Sequence, residues 1–455
     1  MKYGHKINMK IEGYDEKGRG VGRIEILPNE IRQVVTPFTA QGDEIEATFV
    51  KREYGLKICQ LDKVIQPGPD RVVAPCPHAG VCGGCLWQHL DYKAQLKEKE
   101  QGVRELFAQL DLDKKIKPII PADETLGYRN RMDYCVGWNG EIGLKEYGSW
   151  NRYVDVKECL LLKPGVRDIL QVVRDLMKQF DLQPWDAKFH KGDIRYVVIR
   201  DGQNTKQRMI NLVIQDASRI NQEARKFLSD NLKPFCTTLL LGQLSKPTDL
   251  SLAESFETLL GNEWLEEKIN DITYQIHPNS FFQTNSAMAA RLQDTVLAEI
   301  RDSSLEIRSL LDLYCGLGFF GIAAAKQHKK LEVHGYELDE EAIKLASQNA
   351  EINKVGKQCH FFSGKAEDLS WKDVEAQTVI VDPPRSGLHP RVIKTLLDDN
   401  GQLHPSTIIY VSCNYHRLKD ELPAFLQKYE VASIQPLDLF PQTPHIEVVV
   451  TLKLK

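Results

Sequence analysis

What this chain lacks narrows its class before any motif is read. No apolar run approaches the ~18 residues of a membrane-spanning helix, so no membrane partner is expected. The opening residues, MKYGHKINMKIEGYDEKG, contain no apolar core, so no secretory signal is expected either. Basic charge is not in excess: 59 Lys and Arg stand against 63 Asp and Glu, a net charge of −4. That excludes a wholly cationic nucleic-acid coat but leaves room for a local basic face. Repeats and low-complexity tracts are also missing. Ten cysteines without a secretory signal point to a reducing, cytoplasmic setting, where they read as metal ligands, catalytic thiols or core residues rather than disulfides.

What is present is long enough, at 455 residues, for two or three domains. Residues 1–66 alternate apolar and polar between glycine turns, as in Gly18-Arg-Gly-Val-Gly22, which predicts a small antiparallel β-barrel. Residues 67–265 open on Pro67-Gly68-Pro69 and a cysteine cluster. A helix with apolar residues at helical spacing follows over 91–110, expected to pack on the last domain, and then mixed strands and helices read as α+β. Within that region Lys188, Lys191, Arg195, Arg200, Lys206 and Arg208 form a basic stretch, either a solvated sheet face or an RNA-contact strip. From 266 to 455 apolar strands alternate with helices, the pattern of a doubly wound, mostly parallel α/β sheet.

That last domain carries the chemistry. Leu310 to Gly321 reads as strand, glycine turn and helix start, with Gly316, Gly318 and Gly321 matching G-x-G-x-x-G. The motif alone is shared with dinucleotide enzymes. Glu337, at the end of the next strand, is placed to accept from ribose hydroxyls. The discriminating element is Asp382-Pro-Pro-Arg385 after the fourth strand, typical of S-adenosylmethionine-dependent methyltransferases acting on planar nitrogenous substrates. Cys413 ends the apolar run Thr407–Ser412, and Glu447 opens the strand Val448-Val449-Val450. Open α/β sheets keep their chemistry at the carboxyl ends of strands. A thiol, a carboxylate and a methyl donor are what methylation of uracil carbon 5 needs. Thiolate addition at carbon 6 makes carbon 5 nucleophilic, and a base then removes the carbon-5 proton. Taken singly, Cys413 reads as a core thiol and Glu447 as a surface carboxylate. What ionises the thiol is not visible in the sequence.

Asn279-Ser-Phe-Phe-Gln-Thr-Asn285, Asp312-Leu-Tyr-Cys-Gly316, Asp382-Pro-Pro-Arg-Ser-Gly387, Ser412-Cys-Asn414 and His445-Ile-Glu447 together resemble the RNA uracil-5-methyltransferases, specifically the bacterial 23S ribosomal RNA branch, over nearly the whole chain. The resemblance implies a class I methyltransferase domain behind an oligonucleotide-fold-like TRAM barrel. It makes Cys413 the nucleophile and Glu447 the base. It sets Gln283, Tyr314, Glu337 and Asp382 around the methyl donor and stacks Phe281 on a flipped uracil, with Phe282 the more ordinary core residue. Arg19, Arg23 and the Tyr128-Arg129-Asn130-Arg131 segment become RNA-contact candidates. Tyr415 replaces the usual Pro after Ser-Cys-Asn, and Phe319 stands where an Asn often meets the cofactor.

Cys76, Cys82 and Cys85, with Cys159 as the fourth ligand, form one C-x-x-C knuckle and two solitary thiols. Zinc sites usually show paired knuckles, whereas a [4Fe-4S] cluster tolerates the asymmetry. The resembling branch carries such a cluster at this spacing, so iron–sulfur is favoured over zinc. Cys59, Cys135, Cys236 and Cys359 read as core, and Cys315 has no evident job. The implied partner is 23S ribosomal RNA in protein-poor or unassembled form, bound by a monomer. The rivals are the transfer RNA T-loop, which in bacteria is usually served by enzymes without barrel or cluster, and a non-catalytic iron–sulfur RNA-binding protein.

Overall fold

Alternation drives the N-terminal fold. In β1 (Lys6–Tyr14) Ile7, Met9 and Ile11 point inward between exposed neighbours. With β2 (Gly20–Leu27), β3 (Glu30–Thr36), β4 (Glu44–Glu53) and β5 (Leu56–Gln66) it closes a barrel in the order β1-β2-β3-β5-β4. The computed structural model describes residues 2–27, 30–301, 307–398, 401 and 403–455. Among the described residues no helix is long and apolar enough to cross a membrane.

The cysteine loops follow, then α1 (Tyr92–Ala108), capped by Asp91, whose side chain accepts from the Lys93 amide. Val103 and Phe107 of α1 are buried in the core of the C-terminal sheet. Lys99 reaches Asp438 at 2.6 Å with neither side chain exposed, and the Tyr92 hydroxyl donates to the same carboxylate at 2.9 Å. Breaking one partner of such a pair strands a buried charge, so α1 is fastened to the 438–446 segment that leads to Glu447.

The middle of the chain is a seven-stranded sheet. Its elements are β6 (Arg131–Val136), β7 (Ile142–Lys145), β8 (Tyr153–Asp155), α2 (Val166–Gln179), β9 (Ile194–Gly202), β10 (Gln207–Ile214), α3 (Gln222–Leu232), β11 (Thr238–Gln243) and β12 (Ser255–Leu260), with strand order β12-β11-β10-β9-β6-β7-β8. Val166, Ile169, Leu170, Val173 and Leu176 recur at helical spacing and bury α2 against the sheet. Two members of the basic stretch, Arg195 and Arg200, lie in β9, all nine residues of which are buried, so the stretch is not one continuous solvated face. The Arg195 guanidinium lies 4.2 Å from the Trp185 ring and donates to the carbonyls of Leu244 and Lys246 at 2.6 and 2.8 Å. Arg208 is held by Asp201; the three lysines alone are exposed.

A hairpin of β13 (Leu265–Ile269) and β14 (Ile272–Ile276) leads through α4 (Ser286–Arg301) into the last sheet. This comprises β15 (Ser309–Leu313), α5 (Phe319–Gln327), β16 (Glu332–Glu337), α6 (Glu340–Ile352), β17 (Cys359–Ser363), β18 (Thr378–Val381), α7 (Pro390–Leu396), β19 (Thr407–Ser412), α8 (Tyr415–Phe425), β20 (Tyr429–Leu437) and β21 (Glu447–Leu454). The order is β17-β16-β15-β18-β19-β21-β20, with β15 to β19 parallel and β21 antiparallel to both neighbours. Strand alternation splits the core in two. Leu310, Ile380, Ile409 and Val411 face α4, α5 and α6. Leu311, Leu313, Val379, Val381 and Ile408 face α1, α7 and α8.

Candidate active site

Register brings the thiol and the carboxylate together. Val411 and Ser412 of β19 lie opposite Val449 and Val448 of β21, so one further step sets Cys413 opposite Glu447. β21 runs antiparallel, so its first residue stands at the edge where β19 ends. Leu313 pairs with both Tyr336 and Val381, so the next residues along, Tyr314, Glu337 and Asp382, crowd the same carboxyl edge. Continuing the two-residue alternation, Asp312, Asp382, Cys413 and Glu447 share one face of the sheet.

Crowding acids out of water changes their ionisation. Burial, with the Glu337 charge behind it, raises the Asp382 carboxyl to about 7. Burial and Asp382 raise Glu447, 3% exposed, well above the usual carboxylate range, opposed by Arg385. Burial, Glu447 and Asp382 push the Cys413 thiol up to about 11. Arg385 opposes that shift by its charge. Its carbonyl accepts from Asn414 Nδ2 at 2.9 Å, and the Asn414 side chain caps α8. The cation is thus tied to the loop that carries the thiol. Burial first, then Arg385, Lys99 and Arg129, lower His445 to about 4, which leaves it a neutral imidazole.

The glycine loop is bent for a ligand. Tyr314, Gly316 and Gly318 adopt φ of +65°, +53° and +78°. Glu337 accepts from the amides of Gly316, Leu338 and Asp339 at 3.2, 2.7 and 3.2 Å. Asp312 Oδ2 accepts from the Gly321 amide at 3.0 Å, while its buried Oδ1 has no partner. Such an orphan acceptor invites a ligand donor. Burial, with Asp382 and Glu337 beside it, raises the Asp312 carboxyl to about 8. Asp312 and Asp382 therefore hold protons more tightly when folded than when unfolded. Their contribution to stability is lost as pH rises from about 4 through about 7 to 8. Asp312→Asn, whose amide oxygen still accepts from Gly321, is expected to raise the ligand-free melting temperature by at least ~4 °C at pH 8 and little at pH 4.5. Thermal denaturation at both pH values checks this, and equal shifts would refute it.

Cys413 opens onto a cleft of about 1090 Å³ walled by all three parts of the chain, among them Lys17 of the barrel, Gly83 of the cysteine loop, and Phe281, Arg385 and His445. Phe281 is 69% exposed there, whereas Phe282 is buried against Tyr274 and Phe319 at 5.4 and 5.8 Å. Gln283, buried beside them, offers its carbonyl to Asn130 Nδ2 at 2.8 Å, and the Asn130 amide donates to the Thr284 carbonyl at 2.8 Å. Arg200 and Arg131 donate to the Ser280 carbonyl at 2.6 and 3.4 Å. The Tyr128–Arg131 segment therefore divides. Tyr128 and Asn130 are buried braces, and Arg129 and Arg131 line the cleft.

The Gly18 turn is one of the contacts that dock the barrel. Trp87 Nε1 donates to the Gly18 carbonyl at 2.7 Å. Gly18 has φ +71°, and a Cβ there would fall 2.5 Å from Pro444 Cβ. Arg19 is consumed bracing this turn, bonded to Asp15 at 2.8 Å and Glu53 at 3.2 Å with 4% exposure, so it does not reach phosphate. Arg23 remains exposed, 3.5 Å from Glu12. Gly18→Ala combines left-handed strain with that collision and is expected to loosen the barrel. RNA affinity measured by filter binding should fall about tenfold; unchanged affinity would refute the docking role.

Comparison with known proteins gives the family. The family model described as tRNA (Uracil-5-)-methyltransferase matches residues 253–455. The tRNA (uracil(54)-C(5))-methyltransferase of Pyrococcus horikoshii is 36% identical over 92% of this chain and 95% of its own length. The 23S rRNA (uracil(747)-C(5))-methyltransferase of the same organism is 34% identical over 97% and 98%. The chain belongs to the RNA uracil-5-methyltransferase family. It is therefore an S-adenosylmethionine-dependent enzyme. The crystal structure of Pyrococcus abyssi tRNA (uracil-54, C5)-methyltransferase in complex with S-adenosyl-L-homocysteine superposes with a TM-score of 0.78 at 30% identity, covering 98% of this chain and all of that one. Relatives with either substrate name span the barrel region, so the barrel does not separate ribosomal from transfer RNA.

Within this family member the two departures find structural places. Tyr415 opens α8 and packs its hydroxyl toward Gly102 of α1. Phe319 sits in the aromatic core with Tyr274, Phe282 and Phe320. Cys76, Cys82, Cys85 and Cys159 line one small cavity, all four as free thiols. Among the described residues no group of three or more His, Cys, Asp or Glu is gathered as a site that could hold a metal ion. Cys59, Cys236 and Cys359 are buried, Cys135 is half-buried, and Cys315 is buried beneath the glycine loop. The sequence signal for Arg385 is its place directly after Asp-Pro-Pro, with a strand-end thiol one strand away.

Proposed function

We propose that this enzyme methylates carbon 5 of a specific uridine in 23S ribosomal RNA, with Cys413 as nucleophile and Glu447 as base. The observation carrying the reading is the β19–β21 register, which ends with Ser412 opposite Val448 and brings Cys413 and Glu447 to one sheet edge, beside a cleft lined by Cys413 and the exposed Phe281. When bound, S-adenosylmethionine supplies an electrophilic methyl group, and Gln283, Tyr314, Glu337 and Asp382 are the residues that would hold it. Cys413, its thiol proton released to solvent, bonds through sulfur to carbon 6, and the carbon 5–carbon 6 electron pair moves into an enolate. Carbon 5 takes the methyl group, whose former bonding pair stays on the donor sulfur. Glu447 then removes the carbon-5 proton, the double bond re-forms, and the carbon 6–sulfur pair returns to Cys413. Phe281 replaces the stacking that the uracil loses on leaving its strand.

A second reading, the T-loop of transfer RNA, is favoured by the whole-length match to a tRNA (uracil-54) enzyme. Radiolabelled methyl transfer to each purified, unmodified RNA separates them. Labelled 5-methyluridine in 23S RNA and not in transfer RNA supports the first reading, and the reverse pattern replaces it.

The cysteine cavity is proposed to take a [4Fe-4S] cluster. Its support is the donor set. The four cysteines all line one small cavity and are unpaired, the Gly84 amide donates to Cys82 Sγ at 3.4 Å, and glycines between Cys82 and Cys85 permit a tight turn. Burial pushes Cys82 and Cys85 up to about 11 and about 12, so these thiols stay neutral unless a soft metal draws off their protons. Anaerobic purification is expected to give brown protein with iron and inorganic sulfide; colourless, zinc-loaded protein would replace the cluster with zinc.

A further inference from the structure

We propose that Trp150 is a second base-stacking position, taking an unpaired nucleobase that flanks the target uridine. The inference rests on reading the cleft as the RNA site. Tryptophan is among the more buried residue types on average, yet Trp150 is 65% exposed. It stands in the loop joining β7 to β8, whose first residues, Glu146, Tyr147 and Gly148, line the cleft. That loop is fixed to its surroundings. The Tyr147 amide donates to the Val81 carbonyl at 2.9 Å, and the Gly83 amide to the Lys145 carbonyl at 3.0 Å. The Tyr147 ring meets Phe38 of the barrel edge-on at 5.3 Å. A rigid wall therefore carries an exposed indole at its tip, no more than ~7 Å of chain beyond cleft-lining Gly148.

The neighbours of Trp150 favour a nucleotide over a protein surface. Ser149, Asn151 and Arg152 flank it, so its own stretch of chain adds no further apolar surface of the kind protein interfaces bury. Arg152 bonds Glu146 at 2.5 Å with its own side chain 69% exposed. Exposed pairs of this kind contribute little, so the guanidinium is free to exchange its carboxylate for a phosphodiester. Extruding the uridine onto Phe281 deprives its neighbour of a stacking partner. An indole beside an exchangeable cation restores one and grips the backbone of the same strand.

The test compares the full-length wild type with Trp150→Ala and Trp150→Phe on the RNA that the wild type methylates, with Trp138→Ala as an exposed-aromatic control (54% exposed). Trp150→Ala is expected to weaken equilibrium RNA binding tenfold or more, with kcat at saturating RNA within about twofold. The Phe variant should recover most of the affinity, and Trp138→Ala should bind as wild type. Equal affinity of Trp150→Ala and wild type, both methylating, overturns the inference and leaves the enzyme reading intact. A wild type that methylates no RNA overturns that reading and the inference with it.

Discussion

Replacing Cys413 with alanine is expected to abolish methyl transfer, by at least ~10⁴-fold, and to leave the fold intact. The side chain is half-buried at the end of β19, so its loss opens little core. Without the sulfur, carbon 5 of uracil has no route to an enolate, and no neighbouring group substitutes. Loss of a sole nucleophile is of this order elsewhere. The paired measurement is trapping with RNA carrying 5-fluorouridine, where fluorine blocks the final proton removal and leaves the protein–RNA bond in place. Wild type should give a denaturation-resistant adduct and Cys413→Ala none. An active Cys413→Ala variant would end the covalent scheme. Ionisation adds a second signature. With the thiol raised to about 11 by burial, Glu447 and Asp382, only a trace of thiolate exists at neutral pH. kcat/KM should therefore rise with pH, approaching about tenfold per unit below pH 8. Arg385 opposes the upward shift by its charge, so Arg385→Gln should move this rise to higher pH, and Arg385→Lys should move it less.

Much of this site could be read from strand periodicity, because a carboxyl edge is a property of order along the chain. Cys413, Asp382 and Glu447 each end or begin an apolar run, and a sheet of this class gathers such ends whatever its helices do. What periodicity does not carry is contact between residues from different runs. Arg385 is legible as part of a motif, but its charge acting on the Cys413 thiol depends on how Asn414 ties the two loops. Phe281 and Phe282 lie in an irregular segment, where only the brace from Asn130 and the Tyr274–Phe319 pocket decides which is exposed. Charge misled for a related reason. Arg195, Arg200 and Arg19 read as surface cations, but carbonyls of Leu244, Lys246 and Ser280 and the carboxylates of Asp15 and Glu53 satisfy them inside. Those partners come from remote turns that local patterning cannot place.

Glu447→Gln is the complementary experiment, and its outcome differs in kind. The carboxyl is buried and raised well above its ordinary range by burial and Asp382, and only its ionised form can take the carbon-5 proton. Glutamine keeps the shape but cannot accept that proton, and the fold should tolerate the change. The early steps need only Cys413 and the donor site, so carbon 6 should still bond to sulfur and carbon 5 should still receive its methyl group. Release is what fails, since the carbon-5 proton then has no acceptor. Turnover should fall ~10²–10⁴-fold, the usual scale for a general base, while a methyl-labelled protein–RNA adduct accumulates on natural uridine without any fluorine. Cys413→Ala in the same background should erase the adduct, because the bond being trapped is the one to its sulfur. Wild-type turnover by Glu447→Gln, or loss of turnover with no adduct, would remove Glu447 from the role of base. Asp382, raised to about 7 on the same face of the sheet, would then be the next carboxyl to change.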